Sequence, residues 1–465
     1  MPIDLSKIKK IHFIGIKGVA MSGLAVISKQ MGFEVAGSDI PEKFITDKIL
    51  VKEGIKIFEN FDENNLSWSP DLVVVGASWS NDNPEVATAK DRNILLISDS
   101  EMRGILSLRK RTIAITGVHG KTTTTALLAH IFNQAGLNPS FLIGTGNVSD
   151  LGSNARWDSG KHFIVEGDEY IRSQADRIPK FLDLSADISI ITSLEWEHVD
   201  VYKNLEEIEK AFEKLIDRTK DLAVVCGDWP SIKKITKGKK GNVITYGLHP
   251  NNSWQAYDIC QKSNKTFFKV RNKDQELGVF SILLCGAHNV LNALAGLIVS
   301  HHEGISLKKI GIALSTFSGT ERRFEVFEKN GIIFVDDYAH HPGEIAATLK
   351  AARGRYPGKK IYCVFQPHMA SRTKALLDDF AISFSDADKI FLVDIFASAR
   401  EKVGEITSRE LAEQIKKHHN DVEYAGGLPQ TLENLKGKIK KGMVVITMGA
   451  GDIYKIKDKL ISYLK

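Results

Sequence analysis

The sequence predicts an α/β fold in three domains, and three observations support this prediction. Short runs rich in Val and Ile alternate with helical patterns along almost the whole chain, as expected for parallel strands covered by helices. The length of 465 residues corresponds to about three domains at roughly 150 residues each. Glycine-containing turns follow three of the expected strands, at the end of the strand where open α/β sheets bind ligands.

The predicted N-terminal domain, residues 1–108, is Rossmann-like. Its strands are expected at the apolar runs 11–16, 33–37, 72–77 and 94–98. A basic connector at residues 103–111 precedes the next strand, and we therefore expect the domain boundary near residue 108.

The predicted central domain, residues 109–319, has a P-loop type of fold, with a glycine-rich turn after its first strand, and contains a parallel sheet and a small antiparallel part. Its parallel strands are expected at residues 112–116, 163–166, 188–193 and 222–226. Alternating polar and apolar residues next to turn-rich stretches predict antiparallel strands at residues 266–270 and 279–284. Helical patterns then cover residues 289–316.

The predicted C-terminal domain, residues 320–465, is again Rossmann-like. It follows a Ser-Gly-Thr turn at residues 318–320. Its strands are expected at residues 332–335, 360–365, 389–393 and 443–448, and helical patterns alternate with them to the end of the chain.

Composition and charge exclude several classes of protein. Hydrophobic residues make up 43% and charged residues 26%, which excludes a disordered or fibrous chain. No apolar run approaches the roughly 18 residues of a membrane-spanning helix and no secretory signal is recognisable, so we expect a cytoplasmic protein without a membrane partner. A net charge of +5 is too small over this length to indicate a nucleic-acid partner. The four scattered cysteines indicate reduced thiols.

The strongest motif is the turn Gly-Val-His-Gly-Lys-Thr-Thr at residues 117–123, directly after an expected strand. The backbone N–H groups of such a turn and the positive end of the following helix dipole bind phosphate. Lys121 is expected to reach the terminal phosphates of a nucleotide, and the Thr122 hydroxyl is expected to bind Mg²⁺. The general motif has a further glycine where this chain has Ile115. The flanking strand and helix nevertheless favour a phosphate site over a chance Gly-Lys-Thr.

A second turn, with Gly15 and Gly18, follows the first expected strand and precedes a helical pattern at residues 19–31. Asp39 follows the next strand, as an acidic residue does in dinucleotide-binding folds. Two residues instead of one separate the glycines, so the motif is as typical of tight strand–helix packing as of a nucleotide site. A third turn, residues 449–452, ends the last strand, and packing is sufficient to explain it.

Acidic residues and histidines follow four further strands. The stretches 166–170 and 194–198 contain carboxylates and an imidazole that suit Mg²⁺ near phosphates. In the last third of the chain, His340 and His368 follow expected strands and have no Cys/His spacing typical of zinc. Because ligands bind at the carboxyl ends of such strands, we favour a ligand site over solvated loops and core histidines.

The order of these motifs resembles that of the Mur ligases of peptidoglycan synthesis. A Gly-x-x-Gly turn is followed by T-G-V-H-G-K-T-T-T, E-G-D-E, E-W-E-H, G-A-H-N-x-x-N-A, E-R-R-F, D-D-Y-A-H-H-P, F-Q-P-H and G-A-G-D, from about residue 11 to residue 455. The resemblance implies three domains that bind a UDP-sugar, ATP and the incoming amine in turn. It also implies an ATP-dependent, ADP-forming ligase that uses Mg²⁺ and activates a carboxylate as an acyl phosphate. The pattern is most similar to the member that joins L-alanine to UDP-N-acetylmuramate.

The resemblance assigns roles to the residues that match the family's motifs. The expected UDP-sugar-binding residues are Gly15, Gly18, Ser22 and Asp39. The expected ATP-binding residues are Gly117, Gly120, Lys121, Thr122, Thr123, His288, Asn289, Asn292, Arg323, Asp337 and Tyr338. The expected catalytic residues are Lys121, Glu169, His198 and His340, and the expected metal ligands are Thr122, Glu169 and His198. The residues expected to bind the amine are His368 and Arg372.

Four departures from the family's motifs leave the amine open. Gly167, Ser193 and Glu197 stand where the family usually has Ala, Asn and Asp. Met369 replaces an Arg in the pattern of the L-alanine ligase, which removes a possible clamp for a carboxylate. The stretches 166–170, 177–180 and 193–195 look more like the recycling ligase that attaches the tripeptide L-Ala-γ-D-Glu-diaminopimelate to the same UDP-sugar. L-Alanine is our first expectation, and the tripeptide is the alternative.

Three other classes remain as alternatives. A nucleotide-sugar-binding protein that has lost catalysis is disfavoured by the intact Lys121, Glu169 and His198. A folate-type polyglutamate ligase is disfavoured by the N-terminal UDP-type turn. A dehydrogenase would depend on Gly15 and Gly18 alone and would leave the phosphate loop unexplained. The sequence is compatible with a monomer or a homodimer.

Overall fold

Three β-sheets follow one another along the chain, and helices pack on their faces. The computed structural model describes residues 3–76, 82–172, 176–196, 201–239, 242–262, 265–396 and 406–464. The predicted α/β class with three domains is confirmed, including a central sheet of mixed direction. Within the described ranges, no helix is both long and apolar enough to cross a membrane.

The first sheet is a doubly wound parallel sheet. Its strands are β1 (Lys10–Ile14), β2 (Glu34–Ser38), β3 (Lys56–Phe58), β4 (Leu72–Val75) and β5 (Leu95–Ser98). The helices of this region are α1 (Val19–Gln30), α2 (Asp47–Lys52), α3 (Pro84–Asp91) and α4 (Asp99–Ser107). The strand order β3-β2-β1-β4-β5 reverses direction at β1, so a crevice forms outside the carboxyl ends of β1 and β4. Residue 77, the predicted end of one strand, lies outside the described residues.

The second sheet has ten strands in the order β15-β14-β13-β12-β11-β10-β6-β9-β7-β8. They are β6 (Arg111–Thr116), β7 (Ser140–Leu142), β8 (Ala155–Arg156), β9 (His162–Glu166), β10 (Ile188–Ile191), β11 (Leu222–Cys226), β12 (Val243–Gly247), β13 (Trp254–Lys262), β14 (Lys265–Asn272) and β15 (Gln275–Ile282). The helices are α5 (Lys121–Gln134), α6 (Leu205–Arg218), α7 (Pro230–Thr236), α8 (Ala287–His302) and α9 (Leu307–Thr316). The last three strands form the predicted antiparallel part. The predicted helical stretch is divided by Gly304, which has a φ of +84°.

The third sheet is parallel except for its first strand. Its strands are β16 (Glu325–Lys329), β17 (Ile332–Asp337), β18 (Ile361–Phe365), β19 (Lys389–Val393), β20 (Val422–Gly426) and β21 (Val444–Met448). The helices are α10 (Pro342–Arg355), α11 (Ala370–Ala375), α12 (Leu377–Ile382), α13 (Ser408–Ile415), α14 (Leu428–Lys436) and α15 (Tyr454–Tyr463). The order is β16-β17-β21-β18-β19-β20, and β16 pairs with β17 in the antiparallel direction.

The first two sheets share one hydrophobic core. Phe13 and Leu24 of the first region belong to the same buried cluster as Leu142 and Phe163 of the second region. Gly23 on α1 permits this close approach, because a Cβ at this position would lie 3.2 Å from the Ala155 side chain. The third sheet has its main core clusters within its own residues. The carboxyl ends of β1, β6, β9 and β17 therefore surround one space between a two-domain body and the C-terminal domain.

Candidate active site

The glycine-rich turn after β6, where the sequence predicts a phosphate loop, lies between a strand and a helix. Gly117 and Gly120 adopt φ values of +122° and +81°, a region that glycine accepts and other residues strain to reach. A Cβ on Gly120 would also lie 2.5 Å from Asn292 Oδ1. Helix α5 begins at Lys121, immediately after the turn, so its N-terminal end and the loop border the same space.

Lys121 is fixed by its own loop and by one carboxylate. Its Nζ donates hydrogen bonds to the carbonyl oxygens of Gly117 (2.6 Å) and Val118 (3.1 Å) and pairs with Glu169 at 2.8 Å. Burial opposes the positive charge, but Glu169 and Glu166 outweigh it and raise the pKa of Lys121. Lys121 is therefore a charged ammonium group, suited to neutralise negative charge that develops on a phosphoryl group.

Hard oxygen ligands meet beside Lys121. The Thr122 hydroxyl donates to Glu166 Oε1 at 2.9 Å, and Glu166 Oε2 accepts the Gly144 N–H at 2.7 Å. Glu169 is only 3% exposed. A hydroxyl and two carboxylates are the donor set that Mg²⁺ prefers near phosphates, so these residues fit this metal. Glu166 is absent from the predicted site residues, although its position at the carboxyl end of β9 is a signal that would have identified it.

A cavity of about 310 Å³ lies on one side of the phosphate loop. Several residues predicted to bind ATP line it, namely Gly120, Thr123, His288, Asn289, Asn292, Arg323 and Asp337. Burial lowers the pKa of His288 to about 4, so this imidazole is neutral. The Asn292 amide donates to Asn289 Oδ1 at 3.2 Å, which orients both side chains at the cavity wall.

The apolar part of this cavity is a feature that the motifs do not indicate. Trp229 and Phe324 line it together with Leu284 and Leu291. Such a mixture of apolar walls and a few polar groups is typical of a pocket for a small ligand with a flat ring. Trp229 follows β11 by three residues, and an aromatic residue at the carboxyl end of a parallel strand is the signal that would have found it.

A second cavity, of about 340 Å³, lies on the other side of the loop, and residues of all three domains line it. The N-terminal domain contributes Val19, Ala20 and Arg103. The central domain contributes Lys121, Thr122, Glu166 and Glu169 among others. The C-terminal domain contributes Arg322, Arg323, Tyr338, His340 and Glu344. The structure thus brings the predicted residues of the phosphate loop next to those of the C-terminal domain.

Asp337, at the end of β17, organises the C-terminal side of the site. Its carboxylate accepts the backbone N–H groups of Phe324 at 2.8 Å and Ala339 at 2.7 Å. Burial raises the pKa of Asp337 to about 6. These hydrogen bonds fix the two segments that carry Arg323 and His340, so Asp337 acts on the site through its neighbours.

Contacts between aromatic rings link the predicted catalytic residue His340 to the predicted amine-binding residue His368. The Arg323 guanidinium lies 5.0 Å from the centre of the Tyr338 ring, which lies 5.4 Å from the His340 ring. His340 in turn lies 6.2 Å from His368, measured between ring centres, and His368 stacks on Phe396. The structure therefore places His368 beside His340.

The predicted amine-binding residue Arg372 lies on α11 and is 8% exposed. Met369 precedes this helix with a φ of +69°, a backbone conformation that is strained for methionine. Strained residues persist where the surrounding structure holds them, and they concentrate at ligand sites. The residue that departs from the family's motif thus has an unusual conformation as well.

His119 connects the phosphate loop to the C-terminal domain, and it is absent from the predicted site residues. Its Nδ1 lies 3.0 Å from Glu344 Oε1, its Nε2 contacts Glu195, and its backbone N–H donates to Ser193 Oγ at 2.7 Å. Burial opposes protonation, but Glu344 and Glu195 raise the pKa of His119 to about 10. The position of His119 inside the glycine motif is a signal for it. Glu344 has no such local signal, because its role depends on how α10 packs against the loop.

The N-terminal glycine turn is held by hydrogen bonds to the protein itself, including one to the neighbouring strand β2. Gly15 has a φ of +82°, and its N–H donates to the Ser38 carbonyl at 2.8 Å. Gly18 is the N-cap of α1 and adopts a φ of −59°. The hydroxyl of Ser22, which is fully buried, donates to the Val19 carbonyl at 3.0 Å. Ser22 therefore lies inside the strand–helix packing, and the adjacent Val19 reaches the second cavity.

Lys17, between the two glycines, folds back onto the protein. It is 2% exposed, and its Nζ donates to the carbonyl oxygens of Ile40 (2.8 Å) and Glu42 (2.9 Å). Its backbone N–H donates to Asp39 at 2.7 Å, and burial raises the pKa of Asp39. The predicted acidic residue of this domain thus braces the turn itself.

The predicted ligand His198 lies outside the described residues, as does Glu197. The preceding residue, Trp196, is described, and its indole N–H donates to the Tyr202 carbonyl at 3.0 Å. The assignment of His198 to a metal or to catalysis stays a prediction.

Three family models match consecutive parts of this chain. The Mur ligase family, catalytic domain, matches residues 10–111. The Mur ligase middle domain matches residues 115–300. The Mur ligase, glutamate ligase domain, matches residues 322–451. The three matches follow the order of the three sheets.

Full-length relatives and a solved structure agree with these matches. A protein of Acetivibrio thermocellus named UDP-N-acetylmuramate–L-alanine ligase is 40% identical over 466 residues, covering 99% of this chain and 97% of the relative. A protein with the same name from Caldanaerobacter subterraneus is 38% identical over 467 residues, covering 99% of each. The crystal structure of UDP-N-acetylmuramate-alanine ligase MurC from Thermotoga maritima superimposes with a TM-score of 0.82 at 26% identity, covering 98% of each chain.

The fold and the site define a three-domain α/β ligase built around a phosphate loop. The chain belongs to the Mur ligase family. The resemblance recognised in the motifs and the predicted class of ATP-dependent, ADP-forming ligase are thereby confirmed.

Proposed function

We propose that this chain joins L-alanine to the muramate carboxylate of UDP-N-acetylmuramate in peptidoglycan synthesis, and that ATP is converted to ADP and phosphate. The observation that carries the proposal is the cavity to which all three domains contribute, with Lys121, Glu169 and His340 in its lining. The names of the full-length relatives support L-alanine and UDP-N-acetylmuramate as the substrates. ATP and a nucleotide sugar are cytoplasmic metabolites, so we assign the reaction to the cytoplasm.

The three domains divide the substrates among them in this proposal. Residues 1–108 bind the UDP-sugar, with Gly15, Gly18, Ser22 and Asp39 as the residues carried over from the family. Residues 109–319 bind ATP, and residues 320–465 bind the amine. The crevice at the carboxyl ends of β1 and β4 supports the first assignment, because ligands bind outside the point where the strand order reverses.

In the first step, a carboxylate oxygen of the sugar attacks the γ-phosphorus of ATP and ADP leaves, which forms an acyl phosphate. Lys121, whose ammonium group is held by the loop carbonyls, neutralises charge on the transferring phosphoryl group. Thr122, Glu166 and Glu169 would hold Mg²⁺, which when bound supplies further positive charge against the phosphates. His198 is the fourth candidate in the proposed metal set.

In the second step, the amine attacks the acyl carbon, and phosphate leaves from the tetrahedral intermediate. The amine must lose its proton, and His340 and His368 are the imidazoles nearest to the proposed amine site, 6.2 Å apart between ring centres. Closure of the C-terminal domain over the central domain keeps water from the acyl phosphate. Alignment and charge neutralisation carry the reaction, and no side chain becomes covalently bonded.

The tripeptide is the second candidate for the amine, and Met369 favours it. The strained Met369 stands where the L-alanine pattern has an Arg, so a single clamp for a small amino-acid carboxylate is missing at this position. Arg372, three residues further on, is the remaining guanidinium that we assign to the carboxylate of the amine. With L-alanine it would have to reach a carboxylate next to the reacting amine, whereas a tripeptide presents further carboxylates at a distance.

The proposal is tested by phosphate release with UDP-N-acetylmuramate, ATP and Mg²⁺. We expect L-alanine to accelerate release far more than L-serine, glycine or L-Ala-γ-D-Glu-diaminopimelate. A strong preference for the tripeptide would replace L-alanine as the amine, and release that ignores every amine would indicate a protein without ligase activity. Binding of a nicotinamide dinucleotide, followed by fluorescence, would support the dehydrogenase alternative, and we expect none. Sedimentation of the same sample distinguishes a monomer from a homodimer.

A further inference from the structure

The side chain of Glu344, in the C-terminal domain, contacts the glycine-rich loop of the central domain. It lies in the first turn of α10, and its Oε1 is 3.0 Å from His119 Nδ1. Its Oε2 lies 3.3 Å from His340 Nδ1, and the guanidinium of Arg323 approaches Oε1 at 3.9 Å. One carboxylate is thus surrounded by three side chains that can carry positive charge, from two domains.

This carboxylate is partly buried and ionised. The Glu344 side chain is 13% exposed. Burial opposes its negative charge, but His340 and His119 outweigh burial and hold the pKa of Glu344 well below its usual range. The surrounding side chains therefore stabilise a negative charge at this position.

Glu344 lies where the two cavities meet. His119, Arg323 and Glu344 line both the cavity that holds Trp229 and His288 and the cavity that holds Lys121 and Glu169. We place the base in the first cavity, with its aromatic and apolar walls, and the terminal phosphate beside Lys121 in the second. A phosphate chain that connects the two cavities then runs close to His119 and Arg323, where the Glu344 carboxylate repels it.

We propose that Glu344 is an internal substitute for phosphate, which occupies the anion position between His119, Arg323 and His340 until ATP displaces it. In the nucleotide-free protein its carboxylate keeps these three side chains in place and docks the C-terminal domain on the phosphate loop. ATP then has to displace a bound anion, and the protein binds nucleotide more weakly than it would without this charge. Glu344 is a positioning residue in this inference, which rests on the proposed ATP site.

A second role of Glu344 can be separated from its charge. Its Oε2 also accepts the backbone N–H of His340 at 3.1 Å, and Glu344 forms a capping box with His341 at the start of α10. Glutamine serves this purpose as well as glutamate does. Glu344→Gln therefore keeps the helix cap and removes the negative charge.

The matched control is Glu410, which occupies the same capping-box position at the start of α13. Its carboxylate accepts the Thr407 N–H at 2.8 Å and is exposed to solvent. Glu410→Gln makes the same chemical change in the same kind of helix cap at a position that lines neither cavity. Any effect of amide substitution on a cap alone would appear in both variants.

The experiment measures calorimetric binding of Mg²⁺ with a non-hydrolysable ATP analogue, of inorganic triphosphate and of adenosine to the full chain. We expect Glu344→Gln to bind the analogue and triphosphate at least about fivefold tighter than the wild type, a typical coupling between two ligands. Adenosine affinity should not change, and Glu410→Gln should match the wild type throughout. Without nucleotide, Glu344→Gln should have a larger radius of gyration in X-ray scattering, because the docking contact is lost.

Equal or weaker binding of the analogue by a folded Glu344→Gln would overturn the inference, since the charge would then help the nucleotide or leave it unaffected. Tighter binding of adenosine as well would also overturn it, because the effect would not concern phosphate. If Glu344→Gln does not fold, Glu344→Ala is compared with Glu410→Ala by the same criteria. A wild-type protein that fails to bind the ATP analogue contradicts the proposed function itself, and the two failures are thereby distinguished.

Discussion

The N-terminal and central domains each contain a strand, a glycine turn and a helix, but the two turns differ in what fills them. In the first, Lys17 is buried and bonded to backbone carbonyls, and Asp39 accepts its N–H. In the second, Lys121 faces a cavity and pairs with Glu169. Both lysines donate to backbone carbonyls, but Lys17 lines neither of the two cavities, whereas Lys121 lines the cavity to which all three domains contribute.

This difference shows what a phosphate site needs beyond glycine. Both turns have glycines with positive φ, at Gly15 and at Gly117. The turn after β6 adds carboxylates on β9 and a cavity on each side of the loop. The turn after β6 therefore combines the strand–turn–helix motif with groups from neighbouring strand ends that face the same space, and this combination supports our assignment of ATP to it.

The largest expected effect comes from replacing the lysine of the second turn, and the matched control replaces the lysine of the first. Lys121→Ala should lower the rate of ATP-dependent phosphate release by roughly a thousandfold or more, because an electrostatic contact to the transferring group is removed. Lys17→Ala should leave ADP affinity, measured by calorimetry, within about twofold of the wild type, because Lys17 bonds only to its own domain. A near-normal rate for Lys121→Ala would contradict its assignment and erase the contrast between the turns.

The second prediction concerns the glycines. Gly120→Ala should weaken ADP binding by about tenfold or more, because the φ of +81° costs alanine roughly 1 kcal/mol and its Cβ would meet Asn292 Oδ1 at 2.5 Å. Gly18→Ala should shift the melting temperature by less than about 2 °C, because Gly18 has a φ of −59° and the nearest atom to its Cβ would be 3.3 Å away. Equal losses in ADP affinity and melting temperature for both variants would show that the turns respond alike.

The third prediction tests the structural role of Lys17. Lys17→Met should destabilise the chain by about 2–3 kcal/mol in urea unfolding, because two partly buried carbonyl groups lose a charged donor. The control is Lys43→Met: Lys43 also lies near Glu59, at 3.7 Å, but is 83% exposed. A Lys17→Met protein as stable as Lys43→Met would mean that water replaces the lysine and that the first turn is open.

The smallest expected effect is a pH dependence at the second turn. Because the pKa of His119 is raised from 6.5 to about 10, its stabilising contribution is complete below pH 6.5 and disappears as the pH rises towards 10. The difference in melting temperature between the wild type and His119→Gln should therefore shrink by about 2–4 °C between pH 6.5 and pH 9.5. A constant difference between the wild type and His119→Gln over this pH range would contradict a charged His119.

Sequence patterns predicted the parts of the site that are local along the chain. The turn at residues 117–123, its strand and its helix depend on neighbours within a few residues, and the structure has all three. Strands β11 and β19 have the predicted bounds, because each is a continuous apolar run buried on both faces. Strands such as β3, with three residues, or β20, with a mixed pattern, lack a run that stands out from loops.

The parts that escaped prediction depend on contacts between distant segments. Glu344 meets His119 only because α10 packs against the loop, 225 residues away along the chain. Trp229 and Phe324 share a cavity wall for the same reason. The contact of Asp39 with the Lys17 N–H is invisible in a motif that records residue types alone, and the role of Asp39 in binding the UDP-sugar stays a prediction. The role of His198 stays a prediction.

The shared core of the first two domains has a consequence for how such chains can be recombined. Phe13 and Leu24 belong to the same buried cluster as Leu142 and Phe163. A crossover between two related genes near residue 108 would therefore pair core side chains from two proteins that did not evolve to pack together. The main hydrophobic clusters of the C-terminal domain lie within its own residues. Polar contacts such as that between Glu344 and His119 connect it to the central domain. A crossover near residue 319 therefore leaves the main hydrophobic clusters of both parts intact. In this architecture, we expect recombination to exchange the C-terminal domain, which is proposed to bind the amine, as a unit. The other two domains have to be exchanged together.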